Sequence, residues 1–290
     1  MPIDLHTHST ASDGSFEPAA LASRAKDVKV EAIALTDHDT VAGLDAFMAA
    51  GEALGLETVP GCELSVVHGP FKMHILGLWL PQEPVKLITA MDELMRRRHE
   101  RNVIIVEKLQ SAGCDVSYEE VREIAGEGSV GRPHIASVLL RRGYVKSMQE
   151  AFDVYLGSRG KAYAPKVVLN ADEALPLLKE YGATVLMAHP FQNGFGLELL
   201  EKVLRELMEF GLDGLEAYYS EHSPSQTSHC LALSRKLDLA VSGGSDFHGA
   251  PKPKISLARG RGDLNIPYAV LDALKERRAK QGLSLPVWTR

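Results

Sequence analysis

Short apolar runs alternate along this chain with longer segments in which apolar positions recur at helical spacing. Residues 33–36, 59–67, 72–80, 184–188, 214–218 and 239–241 read as strands, several of them apolar at consecutive positions, as a sheet covered on both faces requires. Residues 18–28, 44–54, 171–181, 197–210 and 224–237 read as the helices between them. Ser15, followed by Glu17 and Pro18, predicts a capped start for the first helix. This alternation predicts an α/β fold, either a barrel or a doubly wound sheet.

The rhythm breaks between about residues 86 and 165. That stretch opens with a charged helical pattern containing Arg96-Arg-Arg-His-Glu-Arg101 and continues in helix-like pieces without a strand pattern. The predicted organisation is one α/β unit made of residues 1–99 and 166–290, with residues 100–165 as a small helical insertion domain. The arginine run reads as a solvated helix face. An amphipathic helix over residues 269–282 closes the pattern and carries no recognisable chemistry.

With 290 residues and 45% hydrophobic content, the chain can bury one large core, or one core plus a smaller unit. No run approaches the roughly 18 apolar residues of a membrane span, and residues 1–20 lack a signal-peptide pattern, so a cytoplasmic location with no membrane partner is expected. Cys62, Cys114 and Cys230 show no paired spacing and read as buried thiols. A formal charge of −6 argues against stable binding of duplex DNA. A phosphate-bearing substrate therefore needs a local positive field.

That field has candidate sources. On a strand, positions i and i+2 share a face, so His6 and His8 can present two imidazoles to one ion. The pair alone is weak evidence, and the rest of the chain decides. Thr36-Asp-His-Asp-Thr40 ends a strand with His38, and Gly61-Cys-Glu-Leu-Ser65 sets Glu63 in an apolar strand, where an unpaired carboxylate is costly. His74 lies in a similar strand, Met187-Ala-His-Pro190 ends another with His189, and Ser242-Gly-Gly-Ser-Asp-Phe-His-Gly249 carries Asp246 and His248.

These motifs resemble the PHP (polymerase and histidinol phosphatase) superfamily, whose four signatures are met as His6-Thr-His8, Asp37-His38-Asp39, His189-Pro190 and Asp246-Phe-His248. The segments LTDHDT, GCELS, HILG, AHP and GGSDFHG are similar to its TrpH-like branch, which includes 3′,5′-nucleoside bisphosphate phosphatase and a 5′ to 3′ exoribonuclease. The resemblance spans Ile3 to Gly249 and implies a distorted (β/α)7 barrel of PHP type, with a trinuclear metal cluster at the C-terminal ends of its strands. By position it implies His6, His8, Glu63 and Asp246 for a first ion and Glu63, His74 and His189 for a second, with Glu63 as the bridge. Asp13, His38 and His248 are implied for a third. Asp13 stands where some members carry a histidine, and its oxygen shifts that site toward harder ions. Three divalent ions are expected, manganese first, with iron or zinc also suited to imidazole and carboxylate ligands. Asp4 is expected either to orient a ligand imidazole or to be a plain surface strand residue.

Glu63, Asp13 and Asp246 bring three negative charges against six positive ones, leaving the pocket net positive. A hydroxide bridging two ions, held by Glu63, Asp246, His6 and His8, is the expected nucleophile for in-line attack on phosphorus. Cys62 reads as a buried thiol instead. In the insertion, Gly131-Arg-Pro-His-Ile-Ala136 resembles the branch's substrate-phosphate contacts, which assigns Arg132 and His134 that role. Arg159 and Lys161 are candidates for a second phosphate, Phe191 and Asn193 for base or ribose. Two phosphate-binding regions suit hydrolysis of the 3′-phosphate of a 3′,5′-bisphosphonucleoside such as pAp, with removal of nucleotides from the 5′ end of short single-stranded RNA as a second activity. Histidinol phosphate hydrolysis would leave Arg132 and His134 without work. A non-catalytic metal-stabilised module and a metal-dependent amide hydrolase are the readings from other classes.

Overall fold

A computed structural model describes residues 2–125, 130–165 and 168–289. The strands are β1 (Ala32–Leu35), β2 (Glu57–His68), β3 (Phe71–Leu78), β4 (Leu169–Asn170), β5 (Thr184–Met187), β6 (Gly214–Tyr219) and β7 (Ala240–Gly244). They form one curled mixed sheet in the order β1-β2-β3-β5-β6-β7, with β4 paired only to the end of β2. Every residue of β1 and of β5 is buried, which is why these strands read as continuous apolar runs. A tight hairpin, in which His68 pairs with Phe71, reverses the chain, so β3 runs antiparallel to both of its neighbours. That reversal is the distortion of the barrel.

Residues 3–8 close the curl. On one side the Asp4 N–H donates to the Ala32 carbonyl at 3.0 Å and the Ala34 N–H to the Asp4 carbonyl at 2.8 Å. On the other, the Leu5 N–H donates to Gly243 at 3.1 Å and the His8 N–H to Phe247 at 2.9 Å. The segment thus lies between β1 and β7 as the seventh member of an α/β barrel. Gly244 lets it approach, since a Cβ there would stand 2.2 Å from the His6 Cβ.

The start of the first helix differs from expectation. Helix Pro18–Asp27 has Glu17 at its N-cap with no side-chain cap, and Pro18 contributes no N–H that would need one. Ser15 lies too far upstream; its hydroxyl instead accepts from the Ala250 N–H at 2.9 Å, joining two loops. Ile3, Leu5, Val59, Leu76, Leu186 and Ile266 fill the barrel core, which Leu271 and Leu274 of helix Ala269–Lys280 cover. Arg278 of that helix is buried, donating to the Gly182 carbonyl at 2.7 Å and to Thr184 Oγ1 at 3.0 Å.

The chain divides into two compact units, Met1–Ile88 with Leu169–Arg290, and Thr89–Val168. The second contains most of helix Val85–Ser111, then helices Tyr118–Ala125, Arg132–Arg141 and Met148–Ala151, the last continuing into a π-turn over Phe152–Leu156. Ile105, Leu109, Val121, Ile135, Val138, Leu139 and Leu156 give it a core of its own. No helix among the described residues is long and apolar enough to cross a membrane.

Candidate metal centre

Strand β2 outruns β1: Leu35 pairs with Pro60, and the chain leaving β1 bridges back at His38 to Glu63. On β3, His74 pairs with Ser65 and Leu76 with Glu63, so Glu63 and His74 share the face that meets residues 6–13. The loops after β5 and β7 bring His189, Asp246 and His248 to the same end. Asp39, His189 and Asp246 sit at φ of +52°, +27° and +57°. Left-handed backbone is costly for residues other than glycine, so these turns store strain where side chains must be aimed.

Glu63, fully buried, is the hub. Its Oε1 lies 2.9 Å from His189 Nε2 and 2.9 Å from His74 Nδ1. Its Oε2 lies 3.2 Å from His6 Nε2, 3.3 Å from His8 Nε2 and 3.0 Å from His38 Nδ1. Asp246 Oδ1 stands 3.2 Å from His8 Nε2 and 3.7 Å from His6 Nε2. At the rim, half-exposed Asp13 places Oδ1 3.2 Å from His248 Nε2 and Oδ2 3.9 Å from His38 Nε2. All nine residues named from the sequence meet here, in overlapping groups whose ligand atoms lie within 4.8 Å of one another.

Several of these buried atoms have no hydrogen-bond partner: His6 Nε2, both nitrogens of His8, His38 Nδ1, Glu63 Oε2 and His74 Nδ1. Buried polar atoms are normally paired, and this set converges, so it fits divalent cations with nitrogen and oxygen ligands. The electrostatics agree. Burial opposes charge on His6 and His8, yet Glu63 and Asp246, with Glu216 acting on His6, raise His6 well above its ordinary pKa and His8 to about 9. Burial likewise opposes charge on Glu63, but His38, His6 and His74 hold it well below the carboxylate range. The carboxylates thus demand positive charge at the centre of the cluster. Burial lowers His74 and His248, keeping both neutral and able to donate a lone pair.

Behind the ligands stands a layer of buried carboxylates that sequence reading mostly missed. Glu216 accepts from His6 Nδ1–H at 3.1 Å and from the His189 N–H at 2.8 Å. It thereby fixes the His6 tautomer with the Nε2 lone pair facing inward. Its signal, a carboxylate within an apolar strand, is the one that marked Glu63. His248 is set similarly by Nδ1–H donation to the Asp246 carbonyl at 2.9 Å.

Asp4 is fully buried, not a surface residue, and it meets His6 through the main chain, accepting the His6 N–H at 3.4 Å, with no contact to an imidazole ring among the described residues. It accepts from the Ser245 N–H at 2.8 Å, Ser245 Oγ at 2.5 Å and the Ala258 N–H at 2.7 Å. Asp37 binds Ser9 in the same way, through its N–H at 2.8 Å and Oγ at 2.6 Å. Asp39 takes the Ser65 N–H at 2.7 Å and Oγ at 3.1 Å. Each aspartate holds a serine one or two residues from a candidate ligand: Asp246, His8 or Glu63. Asp246 itself receives Tyr219 O–H at 2.9 Å and Lys252 Nζ at 2.6 Å on Oδ2, leaving Oδ1 toward the imidazoles.

Beside His74 and His189 opens a cleft of about 470 Å³, also lined by Pro70, Phe71, Lys72, Met73 and Gln192. Phe191 is half-buried, its ring 5.3 Å from that of His222 and 6.2 Å from that of His229; the side chain of Asn193 lies outside what is described. The remaining candidates belong to the second unit. Arg132 starts a helix and donates to the Leu156 carbonyl at 3.2 Å. His134 accepts from the Gly131 N–H at 3.1 Å, which gives its ring a capping task. Arg159 and Lys161 are exposed, and the Lys161 ammonium lies 5.8 Å from the Tyr155 ring centroid.

A family model for the PHP domain matches residues 4–199. The 5′-3′ exoribonuclease Rnm of Escherichia coli is 32% identical over 88% of this chain and 88% of its own length. The 3′,5′-nucleoside bisphosphate phosphatase of Chromobacterium violaceum is 30% identical over 85% and 87%. Among solved structures, a Bifidobacterium adolescentis protein placed among metal-dependent phosphoesterases superposes with a TM-score of 0.81 at 28% identity, covering 96% of this chain and 98% of its own. A Chromobacterium violaceum amidohydrolase with bound sulfate gives 0.76 at 28% identity, over 86% of this chain and 88% of its own.

Proposed function

The chain belongs to the PHP-domain family, and from that premise we propose that it is a metal-dependent phosphoesterase that removes the 3′-phosphate from 3′,5′-bisphosphonucleosides such as pAp. The observation that carries this reading is the convergence of unpartnered buried ligand atoms around Glu63. In it, His6, His8, Glu63 and Asp246 hold one divalent ion, Glu63, His74 and His189 a second, and Asp13, His38 and His248 a third. Manganese, iron and zinc all suit such ligands. Ions bound there supply Lewis acidity and a lowered pKa for water.

The chain's own residues supply order and charge. Glu216 and the Asp246 carbonyl turn two imidazoles inward. Asp4, Asp37 and Asp39 fix the loops that bear ligands, so little reorganisation is left for the reaction itself. Lys252 adds a cation beside Asp246. Arg132 supplies a planar fork suited to the phosphate that is not cleaved, with His134, Arg159 and Lys161 as further candidates. Base or ribose contact falls to Phe191 and Asn193 after His189, with Phe71 of the neighbouring cleft as a second aromatic surface.

Likeness to the exoribonuclease of Escherichia coli favours a second activity at the 5′ end of short RNA. A 5′-phosphorylated oligonucleotide is a bisphosphate whose 3′-phosphate is esterified to the next nucleotide, so the same groups serve both. The test is incubation of manganese-loaded protein with pAp and with a 5′-phosphorylated oligoribonucleotide, with products separated by chromatography. Formation of 5′-AMP and inorganic phosphate from pAp is expected, and 5′-mononucleotides from the RNA. If folded, metal-loaded protein leaves pAp intact, the bisphosphate reading fails, and histidinol phosphate and amide substrates come forward.

A further inference from the structure

Asp246 is aimed by two side chains on one of its oxygens. Its Oδ2 receives the Tyr219 O–H at 2.9 Å and Lys252 Nζ at 2.6 Å, while Oδ1 stands 3.2 Å from His8 Nε2. Tyr219 ends β6 and pairs with Gly244, two residues before Asp246, so the phenol reaches the carboxylate from the neighbouring strand. The tyrosine is buried, with its ring 5.4 Å from that of His189. A phenol oxygen gives one hydrogen and can also accept one. Here the accepting side is taken by Gln192 Nε2, which donates to Tyr219 Oη at 2.6 Å.

The directions of these bonds are fixed by what each group can do. An ionised Asp246 only accepts, so the Tyr219 hydrogen points to it and the phenol is left to accept from Gln192. Glu221 enforces the same choice independently. Its carboxylate, paired with Arg261, accepts from Gln192 Nε2 at 2.5 Å, and a reversed amide would set oxygen against oxygen there. The main chain holds Gln192 as well, its N–H donating to the His189 carbonyl at 2.9 Å within the short turn Pro190–Asn193. Gln192 also lines the cleft beside His74 and His189. A chain of donors thus runs one way, from the cleft wall through Tyr219 to a candidate ligand. Lys252, half-buried on a flexible stem, brings charge to Oδ2 without that fixed direction.

We propose that Gln192 and Tyr219 are positioning residues for Asp246: Gln192 spends its amide hydrogens so that the Tyr219 O–H stays on Oδ2 and Oδ1 stays turned toward the metal centre. Successive bonds in a buried chain of this kind strengthen one another. The positioning role stands on this geometry, and its effect on hydrolysis rests on the function proposed above.

The full chain is titrated with manganese, and free ion is measured by electron paramagnetic resonance. Tyr219→Phe, which removes one oxygen atom, should weaken manganese binding about tenfold. Gln192→Leu removes the donor but leaves the Tyr219 hydrogen on Asp246, and should cost about threefold. Gln192→Glu decides the matter. As an acceptor it draws the Tyr219 hydrogen away from Asp246, so it should cost more than Gln192→Leu and approach Tyr219→Phe. Plain electrostatics predicts the opposite, because a carboxylate added near cations tightens their binding. In the Tyr219→Phe background, Gln192→Glu should cost nothing further, a non-additivity that reports the shared hydrogen bond. Unchanged affinity in Tyr219→Phe, or tighter binding in Gln192→Glu, overturns the relay. With pAp as substrate, kcat should fall in the same order while KM moves less. A rise in KM alone, at unchanged manganese affinity, would make Gln192 a substrate contact and would also overturn the relay. If the unsubstituted protein leaves pAp intact, the proposed function fails, while the manganese titration still judges the relay.

Discussion

The barrel end and the helical unit both bury charge away from its ordinary partner, and they do so with opposite sign. Around Glu63, carboxylates and imidazoles converge with several buried ligand atoms left without a hydrogen-bond partner, a demand for cations. Around Arg101, a guanidinium is 7% exposed and donates to the neutral Asn102 Oδ1. The two also differ in how they are held. The barrel site is braced by buried carboxylates that grip backbone N–H groups and serines, whereas the arginines are gripped by an amide side chain and a main-chain carbonyl. A carboxylate brace keeps a cation site acidic, whereas neutral partners leave a guanidinium's charge uncancelled.

The sharpest way to break this comparison is to remove the hub. Glu63→Gln keeps the shape but loses the charge shared among five imidazoles. Hydrolysis of pAp should fall by more than about a thousandfold, with less metal bound by elemental analysis. Exhaustive chelation should abolish activity with far-ultraviolet circular dichroism retained, since the barrel core stands apart from the ligands. Loss of fold on chelation would instead favour a purely structural metal site.

One step outward, Glu216→Ala should weaken metal affinity by about 10- to 100-fold, because His6 then loses the acceptor that fixes its tautomer. Glu216→Gln, which retains an acceptor oxygen, should lose less in a competitive metal titration. Equal losses would mean that charge rather than orientation is what Glu216 supplies. In the helical unit, Arg132→Ala should raise KM for pAp about tenfold with a smaller change in kcat. A pure kcat effect would move Arg132 from ground-state binding to the transition state.

The two regions were also unequally legible. Ligands of the barrel sit where the sequence itself looks wrong for a core: Glu63 among apolar strand residues, His189 and Asp246 where strands give way to turns. Glu216, in Gly-Leu-Glu-Ala-Tyr-Tyr, carries that same signal, but no motif marks it. The end of β7 hid in Ser-Gly-Gly, which reads as a turn until Gly244 is seen to admit residues 3–8. The pairing of Asp4, Asp37 and Asp39 with serines joins chain segments far apart in sequence, which no local pattern encodes. Arg101 was illegible for a different reason. In a helix rich in charge, periodicity fixes which residues share a face but not which face turns inward.

The smallest effect concerns Cys62, the neighbour of Glu63. Successive strand residues point to opposite faces, so Cys62 faces away from the cluster that Glu63 enters. Burial, and after it Asp39, push its thiol above the ordinary value, the reverse of what a nucleophile needs. Cys62→Ala should therefore change kcat by less than about threefold while lowering stability by about 1 kcal/mol, the cost of a small cavity. Native protein should likewise resist thiol reagents until unfolded, since all three cysteines are buried. A loss of activity in Cys62→Ala with metal content preserved would put a sulfur in the chemistry, and the cation-seeking cluster around Glu63 would no longer account for it alone.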